Sequence, residues 1–397
     1  MNFIINKVTN NAYSVEKNIS NNIIPQVKKA NNVVNVVQGI RCLQKLVREN
    51  PVICNKLASD KLYPGDKLVK RMHYAYDHSV EKIPEKGICY TDVDILYKFD
   101  FYKFYAQLQY YCVTEESLIE AINTRDDGFE FLKSNYNDRE SRLINSSGWY
   151  ICVNVVSKEI ITVIRGTNNS NDVITDISAD GVLHEGKQLR GKIHRGIYKQ
   201  ALLMKKKIQD SRLLLSLIDQ GFKITFVGHS LGAGVASVTS MLLMDEGTKN
   251  ICFAYETPAC VDDDIIKFSE GHIFSTVNKF DIVPRLCITG VLNMLSHIET
   301  FDEQKVNEYI SKNPRILYSI LGKIVELILK PSTLSDYMDE SYDARVPGRI
   351  LAFSGSNVYV TSSEDLFITT LVLHKNNIND HSLKKLNFRQ YIDSRIL

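Results

Sequence analysis

The chain has 397 residues, 44% of them hydrophobic and 24% charged, with a formal net charge of +2. A chain of this composition can bury a sizeable core and is not disordered by composition. The near-balanced charge excludes a wholesale nucleic-acid binder, which would carry a basic face and a higher pI.

The N-terminal stretch MNFIINKVTNNAYSVEKN has no apolar core long enough for a signal peptide, and no run of about 18 apolar residues occurs anywhere. This predicts a cytoplasmic or peripherally membrane-bound protein without a transmembrane segment. Residues 1–90 read as a helical N-terminal extension. Val33, Val37, Ile40, Leu43 and Val47 recur at helical spacing, whereas 57–90 carry proline, glycine and charge and read as irregular connection. Residues 91–112, TDVDILYKFDFYKFYAQLQYYC, read as an aromatic helix capped by Thr91 and packed on a sheet.

From Trp149 the texture changes. WYICVNVV and EIITVIRGT are β-rich runs around SKE, a hairpin signal. A loop-rich stretch follows to about Lys192, then a helix over 196–220 with apolar residues every three to four positions. Strand 223–227, helix 231–244 and strands 251–255 and 273–277 come next. This alternation predicts an α/β fold, a mostly parallel sheet with helices on its faces. GRILAFSG, NVYVTSS and FITTLVL read as further strands, and SLKKLNFRQYI as a closing helix. The eight cysteines are scattered without a CxxC pair. They read as buried reduced thiols, not as a disulfide or metal framework.

The chemistry lies in KITFVGHSLGAGVASVTSMLL, residues 223–243. A buried-strand run ends in Gly228-His229-Ser230-Leu231-Gly232, and a helix follows. That is the strand–elbow–helix context in which a G-x-S-x-G serine is presented as a nucleophile. A serine hydroxyl needs a histidine to take its proton and a carboxylate to orient that histidine. In this context the chain order is serine, acid, histidine. Asp281 stands where the strand HIFSTVN turns, with Pro284 breaking the structure behind it. Its rivals, Asp262 to Asp264, read as a solvated acidic run. His381 follows a polar loop in LVLHKNNINDHSL, where a mobile, exposed base belongs. His374, still attached to a strand, and His297, in a helical stretch, are the alternatives, and Asp380 reads as a cap. One oxyanion donor is the N–H of Leu231, the residue after the nucleophile. The second is assigned to Thr167 in TVIRGTNNSNDVITDI, with Arg165 and Asp176 as structural supports of that loop.

The ordered blocks VIRGTNNSNDVITDI, HRGIY, VGHSLGAGVAS, NKFDIVPRL, PGRILAF and INDHSL resemble class 3 lipases, and most closely the sn-1-specific diacylglycerol lipase branch. The resemblance covers about 92–397. It implies an α/β-hydrolase fold over 91–397, with an insert at about 298–345 between acid and base. It also implies a Ser230–Asp281–His381 triad, an oxyanion hole from Thr167 and Leu231, and ester hydrolysis without metal or organic cofactor. The implied partner is a lipid substrate at a membrane or droplet surface, with no nucleic acid. A phospholipase A1-type esterase and a non-catalytic lipid-binding protein on the same fold are the competing readings. That branch commonly begins with a transmembrane bundle, and secreted fungal relatives carry a signal peptide; this sequence shows neither pattern. Two segments could serve as lid or lipid contact: the loop 168–194, and the helix 315–332, with Ile316, Ile320, Ile324, Leu327 and Ile328 on one face, for which an amphipathic helix packed on the domain is the favoured reading.

Overall fold

The computed structural model describes residues 56, 65–78, 88–89, 92–112, 114–136, 148–166, 181–313, 342–354, 357–374, 376 and 379–396. The expected helix at 33–47, the N-cap Thr91, the oxyanion residue Thr167, its support Asp176 and the amphipathic segment 315–332 lie outside the described residues. The chain divides into two units. One comprises residues 81–290 and 342–397, and it holds Ser230, Asp281 and His381.

Its elements, in chain order, are β1 (Ile88–Cys89), α2 (Val93–Tyr111), α3 (Glu115–Arg125), β2 (Glu130–Ser134), β3 (Trp149–Asn154), β4 (Glu159–Ile164), β5 (Gly181–Glu185), β6 (Arg190–His194), α4 (Arg195–Gln209), α5 (Arg212–Asp219), β7 (Lys223–His229), α6 (Leu231–Asp245), β8 (Asn250–Tyr255), α7 (Asp263–Ser269) and β9 (Ile273–Asn278). Then come α8 (Ile288–Glu299), which begins here and runs into the other unit, β10 (Arg349–Ser354), β11 (Asn357–Thr361), α10 (Leu366–Thr369) and α11 (Phe388–Ile396). The other unit holds, among its described residues, α1 (Gly65–His78), the rest of α8 and α9 (Glu303–Lys312). There Arg71 donates to the carbonyls of Ile298, at 2.9 Å, and Phe301, at 2.7 Å. A cation is favourable at such a helix C-terminus.

Among the described residues, nine strands form one sheet in the order β1-β11-β10-β9-β8-β7-β4-β3-β2, with β4, β7, β8, β9 and β10 parallel. With helices on both faces of this mostly parallel sheet, the unit is an α/β-hydrolase fold. Burial on both faces explains why its strands read as continuous apolar runs rather than alternating ones. The alternation is still there in the packing. Trp149, Ile151 and Val153 of β3 join the core under α4, α5 and α6, while Tyr150 and Cys152 join the core under α2, α3 and α11. Phe99 of α2 stands edge-on to Phe253 with ring centres 5.1 Å apart and stacks on Phe388 at 5.4 Å. The hydroxyls of Tyr150 and Tyr255 donate to the Tyr105 and Phe99 carbonyls of α2. The aromatic helix is therefore a structural clamp on the sheet, as its sequence implied.

Several expectations are corrected. Residues 65–78 are helical, not irregular. Asp92 caps α2 by accepting from the Ile95 N–H at 3.3 Å. The single helix expected over 196–220 is two, because the Ser211 side chain caps a new helix by accepting from the Leu214 N–H. FITTLVL is not a strand: Ile368 and Thr369 donate backbone N–H groups to the Asp365 carbonyl and make a helical turn. Its β-branched composition is overruled by tertiary context. The described cysteines Cys112, Cys152, Cys252, Cys260 and Cys287 are free and buried. No described helix is long and apolar enough to cross a membrane.

The stretch read as loop up to Lys192 contains the two-stranded β5–β6 hairpin, paired Gly181↔His194 to Glu185↔Arg190. Its exposed, charged residues hide it from an alternation test. An anchor outside the hairpin holds it: the Asp245 carboxylate at the end of α6 accepts from the N–H groups of Lys187 (2.8 Å), Gln188 (2.6 Å) and Leu189 (2.9 Å). Burial pushes this carboxyl up, but the three donors more than offset it and leave it below the usual carboxylate range. Asp245→Ala is expected to cost about 1.5–3 kcal/mol, the range for hydrogen bonds to a charged group. The check is a urea titration with limited proteolysis, in which new cleavage near 185–189 is the expected result.

Candidate active site

The C-terminal ends of β4, β7, β8 and β9 lie side by side, through the register Ile164↔Gly228, His229↔Tyr255 and the β8–β9 pairing. The residues that follow each strand therefore gather on one sheet edge: Arg165-Gly166, Ser230, Glu256 and Lys279 to Asp281.

Ser230 sits at the turn from β7 into α6 with φ +59° and ψ −131° and is 1% exposed. A non-glycine residue there carries strain of about 1–3 kcal/mol. The surroundings hold it in place. Its N–H donates to the Tyr255 carbonyl at 2.9 Å, and its carbonyl accepts from the Ala233 N–H at 2.9 Å. Gly228 and Gly232 are required by close approach. A Cβ on Gly228 would lie 2.3 Å from the Gly232 oxygen, and one on Gly232 would lie 2.2 Å from the Ile164 oxygen. The small residues after the serine let α6 seat on the sheet, with every residue from 231 to 243 buried. Leu231 opens that helix, so its N–H has no intrahelical acceptor and the helix dipole points at the serine.

His381 brings its Nε2 to 2.7 Å from Ser230 Oγ and its Nδ1 to 3.0 Å from Asp281 Oδ2. Three residues from three distant chain positions thus form one hydrogen-bonded line. Asp281 is fully buried, and its Oδ1 accepts from the Val283 N–H at 2.9 Å. The turn that carries it is closed by the Asp281 N–H donating to the Asn278 carbonyl at 2.8 Å. Arg285 pins the turn through the carbonyls of Asp281 and Lys279. Burial lowers this guanidinium to about 10, against the opposing pull of Asp281 and Asp380.

His381 is not the exposed base that its loop suggested; its side chain is 4% exposed. Its loop is clipped to the β9 end: Asn278 donates to the Asp380 carbonyl at 2.9 Å, and the Asp380 carboxylate accepts from the Phe280 N–H at 3.2 Å. Asp380 therefore anchors the loop, and caps no helix. His374 stacks on Phe280 with ring centres 4.0 Å apart, and His297 lies in α8. Asp262 is bonded to the Lys192 and Ile265 segment, through its side chain and its carbonyl, and not to this site.

Three further residues border the line. His229 stacks on His381 with ring centres 4.9 Å apart. Its Nδ1 is 2.8 Å from the Tyr110 hydroxyl and its Nε2 is 2.7 Å from Glu256 Oε2. Burial, and then the neighbouring His381, hold His229 well below the usual histidine range, so it is neutral. Glu256, like Asp281, is a carboxylate directly after a sheet strand, but its place beside Ser230 is set by the β7–β8 register. His229, Glu256 and His381 also bring three ligand-type atoms within 4.8 Å of one another. Both nitrogens of each histidine are already hydrogen-bonded, those of His229 to Tyr110 and Glu256 and those of His381 to Asp281 and Ser230. The donor set is already committed, and the site does not fit a resident metal.

A strained serine on a strand–helix elbow, bonded to a histidine that is bonded to a buried carboxylate, is the arrangement of the serine hydrolases on this fold. Residues 161–290 match the family Lipase (class 3). That segment is similar to class 3 lipases, and the curated relatives it matches include diacylglycerol lipases. Human diacylglycerol lipase-alpha is 31% identical over 228 residues, 51% of this chain and 22% of the human protein. Mouse diacylglycerol lipase-beta is 25% identical over 146 residues, 36% of this chain and 22% of the mouse protein. Phospholipase A1 PLIP2 of Arabidopsis thaliana is 26% identical over 243 residues, 57% of this chain and 32% of that protein. The chain thus matches a third or less of the length of these relatives. Among solved structures, a lipase of Rhizopus microsporus var. chinensis is 15% identical with TM-score 0.46, covering 75% of this chain and 88% of its own. The Lip2 lipase of Yarrowia lipolytica is 22% identical with TM-score 0.41, covering 49% and 76%. The strand order, not these likenesses, defines the fold.

Proposed function

We propose that the protein is a serine-dependent lipase that hydrolyses carboxylic esters of acylglycerols, diacylglycerol or triacylglycerol, through an acyl-enzyme. The observation that carries this reading is the 2.7 Å and 3.0 Å hydrogen-bonded line from Ser230 through His381 to Asp281, inside a chain whose core segment matches class 3 lipases. His381 takes the Ser230 proton as Oγ attacks the ester carbonyl, and Asp281 holds the ring so that Nε2 faces Oγ. The tetrahedral oxyanion is received by the N–H of Leu231 and, in this reading, by Thr167; one such donor is worth about 100- to 1000-fold in rate. His381 then gives its proton to the leaving alcohol. In deacylation it activates water in the same way. The enzyme meets its insoluble substrate from the side, at a membrane or droplet surface on the cytoplasmic face.

A second reading, a phospholipase A1-type esterase, is favoured by the likeness to PLIP2, since the same machinery can open a phospholipid ester. The test is a panel of micellar diacylglycerol, triacylglycerol and phosphatidylcholine, each run with a Ser230→Ala control. Fatty acid release from acylglycerols at a rate at least about tenfold above the phospholipid, about 1.4 kcal/mol in transition-state stabilisation, is the expected result. The reverse ranking would select the phospholipase, and no release from any lipid by folded protein would support a lipid-binding protein.

A further inference from the structure

Glu256 is a fully buried carboxyl beside the candidate triad. It follows β8 as Ser230 follows β7, and the two strands are paired there through His229↔Tyr255. Its backbone has φ +51°, a conformation that glutamate rarely adopts. Its N–H donates to Thr276 Oγ1 at 3.0 Å, so the strained turn is tied to β9. Glutamate is a costly residue to place here, and its Oε2 lies 2.7 Å from His229 Nε2.

We propose that Glu256 is a positioning residue of the site, acting through His229 on the ring of His381. This rests on the serine-hydrolase reading above. Tyr110 Oη lies 2.8 Å from His229 Nδ1 and Glu256 Oε2 lies 2.7 Å from His229 Nε2. Neutral His229 carries one ring proton, so it donates to one of these two groups and accepts from the other. Both edges of the His229 ring are fixed, and its face is the wall against which His381 stacks. His381 must transfer a proton from Ser230 and later return it, so the tilt of its ring decides the Nε2–Oγ alignment. Through Tyr110 the same chain reaches Gly166, the residue before the proposed oxyanion donor.

Glu256 acts as a neutral acid. Burial, then the nearby Asp281, push its carboxyl well above the usual range; Asp380 adds to this, while the Ser382 N–H and the Asn278 side chain oppose it. The other titratable groups around it are His229 on β7, His381 on its loop, and Tyr110 and Lys103 on α2. A glutamine reproduces the shape and the acceptor of that neutral acid.

The test uses the full-length chain with a soluble short-chain ester and compares Glu256→Gln, Glu256→Ala and Ser230→Ala. Glu256→Gln is expected to keep kcat within about twofold and to leave the acid limb of the pH–rate profile in place. Glu256→Ala is expected to lose about 10- to 100-fold in kcat with KM unchanged, the penalty of a misplaced reacting group. The low-field proton resonance of the His381 Nδ1–H reads the same alignment without substrate. It is expected to persist in Glu256→Gln and to shift or broaden in Glu256→Ala. If Glu256→Ala does not fold, Tyr110→Phe replaces it, since that change removes the hydroxyl bonded to His229 Nδ1 and keeps the ring. Wild-type kcat and an unmoved resonance in the alanine or phenylalanine variant would overturn the proposal. A move of the acid limb to lower pH in Glu256→Gln would also overturn it, because an ionised Glu256 would favour the protonated His381 ring. If wild type hydrolyses no ester but the resonance pattern holds, the esterase reading fails and the positioning role stands.

Discussion

Ser230→Ala is expected to abolish both ester hydrolysis and labelling by a fluorophosphonate probe. The loss in kcat is about ten-thousand- to million-fold, the range for removal of an activated serine. The geometry explains why so little survives. Ser230 Oγ is the group that His381 Nε2 faces at 2.7 Å, so the proposed covalent route loses its nucleophile. The fold should survive the change, because the Ser230 backbone bonds to Tyr255 and Ala233 remain and the lost hydroxyl is replaced by nothing larger. Circular dichroism and thermal melting of both forms check this. Ser230→Gly should melt higher than Ser230→Ala, since glycine adopts φ +59° without the steric penalty. Labelling that persists at full rate in Ser230→Ala would move the nucleophile elsewhere and sink the functional reading.

Asp281→Asn should be nearly as severe, with kcat lower by about ten-thousand-fold, as for other triad acids changed to their amides. The carboxylate makes two bonds of opposite demand on a substituent. Oδ1 accepts from the Val283 N–H at 2.9 Å, and Oδ2 faces His381 Nδ1 at 3.0 Å. Asparagine has one acceptor oxygen, and Val283 will take it. The NH2 group is then forced toward Nδ1. The imidazole must present a lone pair there and carry its proton on Nε2, the tautomer that cannot accept the Ser230 proton. KM on a soluble ester should change little, because Asp281 is buried behind the histidine. A variant within tenfold of wild type would show that Asp281 does not set the tautomer, and Glu256 would become the candidate acid.

The elbow was legible because its requirements are local. A strand run, two glycines four positions apart and a helix of small residues are contiguous in KITFVGHSLGAGVAS, and the steric reason for each glycine is met within about ten residues. Asp281 was legible for a related reason: a carboxylate directly after a β-rich run stands on the edge from which a serine emerges. The parallel sheet was legible from strand–helix alternation. The hairpin 181–194 was not, because its clasp is Asp245, more than 50 residues away. The turn at 366–369 was not, because β-branched residues there are held by Asp365 rather than by a ladder.

What the sequence by itself determined is therefore the chemistry on offer: a strained serine, a strand-end aspartate and a loop histidine, in the order that one fold can assemble. What only the tertiary structure decided is how they are housed. His381 reads as exposed because its neighbours in sequence are polar, yet Asn278 and Phe280 clip its loop to the sheet and His229 covers its ring. Glu256 reads as a loop residue, yet strand pairing sets it beside Ser230 and its buried carboxyl meets His229. Register and burial are properties of residues far apart in the chain. Local pattern carries no record of them.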